Sequence, residues 1–114
     1  MVTVHIVRGP DGRIRRFSVS GHARYADPGQ DIVCAGVSAV TIGAVNAIEK
    51  LTGLVPDARM ESGWLSAIAP ESGERSKDDQ VQLLLEGMVV SLQSIADEYG
   101  KYVSIQEATE GRRR

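Results

Sequence analysis

One long uncharged stretch, Ile32 to Ile48, constrains the fold of this chain more than any other feature. It is mostly apolar, and it follows Asp31, whose carboxylate can accept hydrogen bonds from the free N–H groups of a first helical turn. Thr52-Gly53 provides a stop, with Gly53 in the left-handed conformation. The pattern predicts a helix capped by Asp31 that runs to about Leu51. Because this helix is apolar almost all round, it must be covered on more than one side.

The same stretch also allows a membrane interpretation. A membrane-spanning helix needs about 20 predominantly apolar residues. This stretch is shorter, and it is interrupted by small and polar residues, namely Gly36, Ser38, Thr41, Gly43 and Asn46. Buried helices of soluble proteins look the same, so we expect no membrane association. We also expect no signal peptide, because the first sixteen residues carry His5, Arg8, Asp11 and Arg13 where an apolar core would be needed.

Five segments show the period of two that is typical of strands. The first two flank the turn Gly9–Gly12, and the next two flank the tight turn Ser62-Gly63, so each pair is expected to form a hairpin. The predicted strands are Val2–Arg8, Ile14–Ser20, Val55–Glu61, Trp64–Ala69 and Tyr102–Gln106.

A second helix is predicted between the fourth and fifth strands. Ser76 followed by Asp79 resembles a capping box at its start, and Gly100 ends it. Apolar residues recur at spacings of three and four, which places one stripe against a core. The stripe consists of Val81, Leu84, Leu85, Met88, Leu92, Ile95, Ala96 and Tyr99.

The element order is therefore β-β-α-β-β-α-β, in a chain of 114 residues that has single-domain length. Strands interrupted by two helices predict an α+β two-layer sandwich, with one mostly antiparallel sheet and both helices on one face. We expect one domain over residues 1–107 and a polar C-terminal tail over residues 108–114, with Glu107 the first residue past the last strand.

Charge and cysteine content limit the function classes. A net charge of −2 argues against nucleic acid as a direct partner, because binding to phosphates normally needs a basic surface. The single cysteine excludes an internal disulfide and is typical of a reducing cytoplasm. One Cys and two His residues give no ligand spacing for a metal, and we predict neither a metal nor a cofactor.

The candidate chemistry lies around Gly21-His22-Ala23 and the start of the first helix. Cys34 falls in the first helical turn, where unpaired N–H groups and the helix dipole stabilise a thiolate, the reactive form of cysteine. The same N–H groups could stabilise the oxyanion of a tetrahedral intermediate. His22 closes the second strand, and an imidazole there can exchange a proton with the thiol if the intervening loop folds back.

Each of these residues also has a purely structural interpretation. A buried cysteine is often a small hydrophobic side chain, and Asp31 can act as an N-cap alone. Ser38 lies one turn after Cys34 on the same face, but a helical serine often bonds to its own backbone. Gly21 can give the loop freedom to move. His5 lies within a strand without a partner, and we interpret it as structural.

At these residues the sequence resembles the ribosomal-processing cysteine protease family, Prp. The resemblance spans Val2 to about Gln106. Its most specific parts are Gly21-His22-Ala23, Asp31-Ile32-Val33-Cys34-Ala35-Gly36, Ser38-Ala39-Val40, Asn46-Ala47-Ile48, Ser91-Leu92-Gln93 and Glu98-Tyr99. It implies that Cys34 is the nucleophile and His22 the catalytic histidine, with Asp31 and Ser38 as supporting residues.

The resemblance also implies a substrate and an assembly. Members of the family remove a hydrophobic, aromatic-rich N-terminal extension from the bacterial large-subunit ribosomal protein numbered twenty-seven. The resemblance also implies a homodimer. The resulting hypothesis is a cytoplasmic cysteine endopeptidase that acts on a peptide substrate. Two alternatives stay open here: a non-catalytic ribosome-associated binding or assembly module, and a redox-sensing thiol.

Overall fold

The computed structural model describes residues 1–111, so residues 112–114 of the predicted tail lie outside the described residues. The element order predicted from the sequence is confirmed, as is the α+β class with one mostly antiparallel sheet. The elements are β1 (Val2–Arg8), β2 (Ile14–Ser20), α1 (Ile32–Thr52), β3 (Asp57–Glu61), β4 (Trp64–Ile68), α2 (Arg75–Glu98) and β5 (Val103–Thr109).

The sheet has the strand order β3-β4-β2-β1-β5. All neighbours are antiparallel except β1 and β5, which run parallel in register from Val2↔Val103 to Arg8↔Thr109. β2 pairs with β4 so that Ser20 lies opposite Trp64. The end of β2 and the β3–β4 turn therefore meet at one end of the sheet.

The core lies between one face of this sheet and the two helices. Val2, Val4 and Ile6 alternate into it from β1, whereas His5 between them is exposed on the open face. Alternation of this kind is expected of a sheet that is covered on one side only. The helices contribute the apolar stripe of α2 and part of α1, chiefly through Val81, Leu85, Met88, Leu92, Val33, Val37 and Ile48.

An irregularity in the first hairpin adds a further core residue. The register between β1 and β2 shifts between Val7 and Arg8, so Ile14 opposes Arg8 and is 1% exposed. The Gln82 side chain accepts from the Ile14 N–H at 2.8 Å and donates to its carbonyl at 2.9 Å. These two bonds give both backbone groups of Ile14 a partner beside the irregularity, and they tie the sheet to α2.

The helix α1 begins after Asp31 and ends at Gly53, whose φ is +78°, as the sequence predicted. Its length and its mean hydropathy of 1.7 are sufficient for a membrane span, a criterion that core helices of soluble proteins also meet. Here it packs against α2, and its buried threonines are satisfied internally: Thr41 donates to the Val37 carbonyl and Thr52 to that of Ile48. Only 22% of the apolar segment of α1 is buried, so the outer face of the helix is uncovered.

Several sequence-based boundaries were wrong. The last strand ends at Thr109, not Gln106, so it includes Glu107 and also Ala108 and Thr109, which were assigned to the polar tail. Their alternation fades, but the backbone of β5 stays paired with β1. Arg8 secures this end, because its guanidinium bonds to Glu107 at 3.0 Å and to Glu86 of α2 at 2.6 Å. Hydrogen bonding and the charge of Arg8 lower the pKa of Glu86.

The capping box predicted for the second helix was also wrong. α2 begins at Arg75, one residue before Ser76, and its N-cap Glu74 makes no side-chain cap bond. Instead, the Asp78 carboxylate accepts from the backbone N–H groups of Ser72 and Gly73 and from the Ser72 hydroxyl. Asp79 forms an ion pair with Arg13 at 2.9 Å. A smaller correction is that β3 starts at Asp57 rather than Val55.

The one-sided core makes a testable prediction about two strand isoleucines. Ile6→Ala should lower the free energy of unfolding by about 2–5 kcal/mol, because it leaves a cavity where the side chain is 0% exposed. Ile68→Ala is the matched control, since Ile68 is 51% exposed and its loss should change stability by about 0.5 kcal/mol or less. Urea unfolding of both variants measures the difference, and equal costs would contradict a two-layer arrangement.

Candidate active site

The Asp31 carboxylate organises the start of α1. Asp31 has an extended backbone (φ −88°, ψ 101°), and its Oδ1 accepts the N–H groups of Val33 and Cys34, each at 3.0 Å. The predicted N-cap is therefore confirmed. The cap fixes the backbone of Cys34 in the first turn of α1, so the Cys34 side chain starts from a rigid position.

The other oxygen of Asp31 holds the loop that precedes the helix. Its Oδ2 accepts from the N–H of Tyr25 at 3.0 Å and more weakly from that of Ala26 at 3.5 Å. The hydrogen bond from the Cys34 amide is the main cause of a lowered pKa at Asp31, and the amides of Ala26 and Tyr25 add to it. A carboxylate that accepts several amide bonds favours its charged form, so Asp31 stays ionised while it joins loop and helix.

The ring of Tyr25 anchors the same loop to the segment between the end of α2 and the start of β5. It packs edge-to-face on Tyr99 at 5.6 Å and on Tyr102 at 5.2 Å between ring centroids. Such aromatic pairs are favourable beyond their buried area. Arg24, just before Tyr25, takes a left-handed backbone with φ +57°, which lets the chain reverse towards Cys34.

The Cys34 sulfur accepts one hydrogen bond within residues 1–111. The backbone N–H of Ala23 donates to Sγ at 3.2 Å, and Ala23 itself is 2% exposed. Because Ala23 directly follows His22, this bond brings the loop back to the helix start, as the nucleophile hypothesis requires. Cys34 is half-buried and reduced.

His22 lies just past β2, where the backbone is held by the β3–β4 turn. The N–H of Gly21 donates to the carbonyl of Gly63 at 2.9 Å. Gly21 has φ +89°, and a Cβ there would collide with the carbonyl oxygen of Met1, so only glycine fits. A Cβ on Gly63 would lie 2.7 Å from His22 Nε2, so the imidazole packs directly on the turn backbone.

No hydrogen bond fixes the His22 ring, and none joins it to Sγ, within the part of the chain that the structure describes. Catalytic hydrogen bonds are often long without substrate and shorten when it binds. The two side chains are nevertheless brought to one place, because both line the same two cavities. The packing of His22 on Gly63 limits where its ring can go.

Two cavities meet at His22, Cys34 and Ser38. The smaller, of about 180 Å³, lies between α1 and the β3–β4 hairpin, and its wall is mainly apolar. The larger, of about 1060 Å³, runs under the loop that carries Tyr25 and Asp31. A thiol and an imidazole therefore stand where two halves of a groove join, an arrangement suited to attack on an extended chain.

Ser38 was assigned a supporting role, and the structure places it in both cavities. Its hydroxyl makes no hydrogen bond within residues 1–111, whereas Ser91 and Ser94 donate to backbone carbonyls of α2. The alternative of back-bonding to its own helix is therefore wrong for Ser38. His5, on the open face of the sheet, lies apart from this site.

One part of the predicted chemistry needs correction. We expected N–H groups at the helix start to be free for an oxyanion. The structure shows those of Val33 and Cys34 bound to the Asp31 side chain, and that of Ala35 bound to the Asp31 carbonyl at 3.0 Å. Asp31 therefore accepts the hydrogen bonds of the N–H groups that we had expected to bind the oxyanion.

Sequence reasoning also missed the contribution of the β3–β4 hairpin. Met60, Glu61, Gly63 and Trp64 line the smaller cavity, and Ser62 lines the larger one. No local signal marks them, because they reach the site through the pairing of β2 with β4. Among residues 1–111, no three His, Cys, Asp or Glu side chains come together to hold a metal ion.

The role of the second Asp31 oxygen can be tested with Asp31→Asn. Asparagine keeps an acceptor for the helix cap, but its amide nitrogen cannot accept the Tyr25 N–H, so we expect a lower urea midpoint near neutral pH. Since the folded pKa of Asp31 is depressed, this contribution is present above its ordinary value of 3.8 and is lost as pH falls further. The gap between wild type and variant should therefore narrow in acid.

Asp27→Asn is the matched control, because Asp27 lies in the same loop and its carboxylate accepts no hydrogen bond within residues 1–111. It should leave the midpoint unchanged at both pH values. A gap between wild type and Asp31→Asn that stayed constant through the acid range would contradict this role of the carboxylate.

The contact between Gly63 and His22 predicts a local effect of Gly63→Ala. The new methyl group should displace the His22 imidazole, which ring-proton chemical shifts in NMR spectra would report. Gly12→Ala is the control: Gly12 is also a hairpin glycine at positive φ (+83° against +74°), but a Cβ there meets nothing within 4 Å. Unchanged His22 shifts in folded Gly63→Ala would show that the turn does not set the ring position.

Comparisons with known proteins agree with this geometry. The family model for "Cysteine protease Prp" matches residues 1–104. The ribosomal processing cysteine protease Prp of Bacillus subtilis is 44% identical over 101 residues, which cover 87% of this chain and 90% of that protein. The protein of the same name from Staphylococcus aureus is 39% identical, over 92% of this chain and 97% of that protein.

Solved structures give the same result. The S. aureus ribosomal processing protease Prp with a covalently linked product peptide superposes with a TM-score of 0.85 at 35% sequence identity. The match covers 95% of this chain and 100% of that chain. The same protein with a substrate peptide gives a TM-score of 0.81. The predicted family and enzyme class are confirmed: this chain belongs to the Prp family of cysteine proteases.

Proposed function

We propose that this chain is a ribosomal-processing endopeptidase in which Cys34 is the nucleophile and His22 the general base and acid. The observation that carries the proposal is the bond from the Ala23 N–H to Cys34 Sγ, which fixes the sulfur beside the residue that follows His22. Both side chains open into the same two cavities. A thiol and an imidazole that share one groove support these roles, which require the two side chains to come within hydrogen-bond reach.

The reaction follows from these positions. His22 takes the thiol proton, and the Cys34 thiolate attacks the scissile carbonyl carbon, so that a C–S bond forms and the carbonyl π electrons move to oxygen. When this intermediate collapses, the C–N bond breaks and His22 returns the proton to the leaving amine. Water, deprotonated by His22, then attacks the thioester and releases the second product together with the thiol.

The remaining site residues support this pair in different ways. Asp31 holds both the nucleophile turn and the Tyr25 loop, and its contribution is positional. Gly21 allows the close backbone contact that places His22. Ser38 offers a free hydroxyl in the groove, where it can bond to the substrate backbone.

The substrate we propose is the N-terminal extension of the large-subunit ribosomal protein numbered twenty-seven. The similar proteins are named for ribosomal processing, and the solved relatives hold peptides. The smaller cavity is walled by Ile42, Met60 and Trp64, which suits an apolar and aromatic segment. The enzyme would therefore meet the ribosomal protein through its peptide tail, without direct contact to nucleic acid.

A mass-spectrometric assay with the precursor protein tests the proposal. The wild type should release the extension, and Cys34→Ala and His22→Ala should each lose at least about 10²-fold in kcat/KM, because proton transfer or covalent attack is lost. His5→Ala is the matched control for His22→Ala, since His5 is also exposed but lies on the open face of the sheet. It should cleave at the wild-type rate.

Two outcomes would contradict the assignment. Undiminished cleavage by folded Cys34→Ala would exclude this thiol as the nucleophile. Binding of the precursor without any cleavage would favour the non-catalytic module considered from the sequence. Rapid alkylation of Cys34 at mildly acidic pH in the wild type would support a reactive thiolate.

We also propose a cytoplasmic homodimer in which a second copy covers the outer face of α1. This face carries no charge from Ile32 to Ile48 and stays largely uncovered in the single chain. Light scattering should give about twice the chain mass of 12.3 kDa. Ala39→Glu, on this exposed face, should shift the mass to that of the monomer, whereas Leu83→Glu, exposed on α2, should not. A monomeric wild type would contradict the proposal.

A further inference from the structure

Within residues 1–111, Ala23 provides the backbone N–H that hydrogen-bonds to the Cys34 sulfur. Its N–H donates to Cys34 Sγ at 3.2 Å, and the residue is 2% exposed. A buried N–H needs a partner, and an unpaired one is costly. Hydrogen bonds to a charged acceptor are about twice as strong as neutral ones, so this bond strengthens whenever its acceptor carries a negative charge.

The usual donors at a helix start are not available to a substrate here. Val33 and Cys34 donate to the Asp31 carboxylate, and Ala35 donates to the Asp31 carbonyl. Ile32, the remaining first-turn residue, lines neither cavity. An oxyanion that forms on the carbon attacked by Sγ must therefore find its donor elsewhere.

We infer that the Ala23 N–H serves two charges in turn, the Cys34 thiolate before attack and the carbonyl oxyanion after it. This inference rests on the proposed function of Cys34. When the C–S bond forms, the sulfur becomes a neutral thioether and a weak acceptor, while the negative charge moves to an oxygen on the same carbon. The N–H then bonds to that oxygen. As the C–N bond breaks, the carbonyl re-forms and the charge disappears.

Ser38 is the competing donor. Its hydroxyl makes no hydrogen bond within residues 1–111, and the residue lines both cavities beside Cys34. It differs from Ala23 in making no bond to Sγ, so it can act on the oxyanion but has no effect on the resting thiolate. An amide fixed in the backbone is also better pre-organised than a rotating hydroxyl.

Replacing the residue 23 amide by an ester tests the inference in the full-length protein. Incorporation of lactic acid in place of Ala23 keeps the methyl group and removes only the N–H. We expect kcat for the precursor to fall roughly 10²–10³-fold with KM changed little, the cost of one oxyanion donor. The pH profile of Cys34 alkylation by iodoacetamide should also move to higher pH.

Lactic acid in place of Ala69 is the matched control. The Ala69 N–H donates to the Arg15 carbonyl at 2.8 Å, at the end of β4 opposite the site, so this ester loses a structural hydrogen bond of similar kind. It should leave both kcat and the alkylation profile near wild type. Equal effects of the two esters, or a large kcat loss in Ser38→Ala with none in the residue 23 ester, would overturn the inference.

Two further experiments distinguish a failure of this inference from a failure of the proposed function. If the wild type cleaves no precursor, the proposed function fails, while the alkylation profile still reports whether the amide stabilises the thiolate. If the residue 23 ester does not fold, NMR spectra of the wild type decide: the Ala23 amide proton should shift with pH in step with Cys34 reactivity, and should not do so in Cys34→Ala. An Ala23 resonance that ignores the state of the sulfur would refute the inference.

Discussion

The Asp31 carboxylate is the interaction on which the rest of this site depends. One oxygen closes the first turn of α1 around Cys34, and the other holds the backbone at Tyr25 and Ala26. The loop returns to the helix because the loop backbone and the first helical turn both donate hydrogen bonds to the Asp31 carboxylate. Together with the packing of Tyr25 on Tyr99 and Tyr102, that link keeps the Ala23 amide within reach of the sulfur. A residue that would be interpreted as a simple cap thus sets the geometry of the reacting atoms.

The second half of the site comes from the sheet. Gly21 and Gly63 join the end of β2 to the β3–β4 turn through one backbone bond, and the imidazole of His22 packs on that turn. The proposed nucleophile and base are therefore carried by different elements, the start of α1 and the end of β2, which meet at one end of the fold. The imidazole and the thiol are not hydrogen-bonded to each other within residues 1–111, so the proposed proton transfer requires the two side chains to come closer.

Much of this could be predicted from the sequence, and the failures have physical causes. The element order, the Asp31 cap and the left-handed Gly53 follow from local patterns, since each depends on neighbours in the chain. The end of β5 was misplaced because its last residues lose their alternation while their backbone stays paired to β1. The hairpin wall at Gly63 was missed because strand pairing, and not spacing, brings it to His22. The donors for the oxyanion were misassigned because a cap and an oxyanion compete for the same N–H groups.

The central claim is that the peptide acyl group passes through the Cys34 sulfur. Rapid acid quenching of the enzyme with its precursor, followed by peptide mapping of the intact adduct, tests it most directly. The account predicts a transient acyl group attached at Cys34 that accumulates before product release and disappears as cleavage completes. Cleavage that proceeds without any such adduct, or with the acyl group on another side chain, would contradict it.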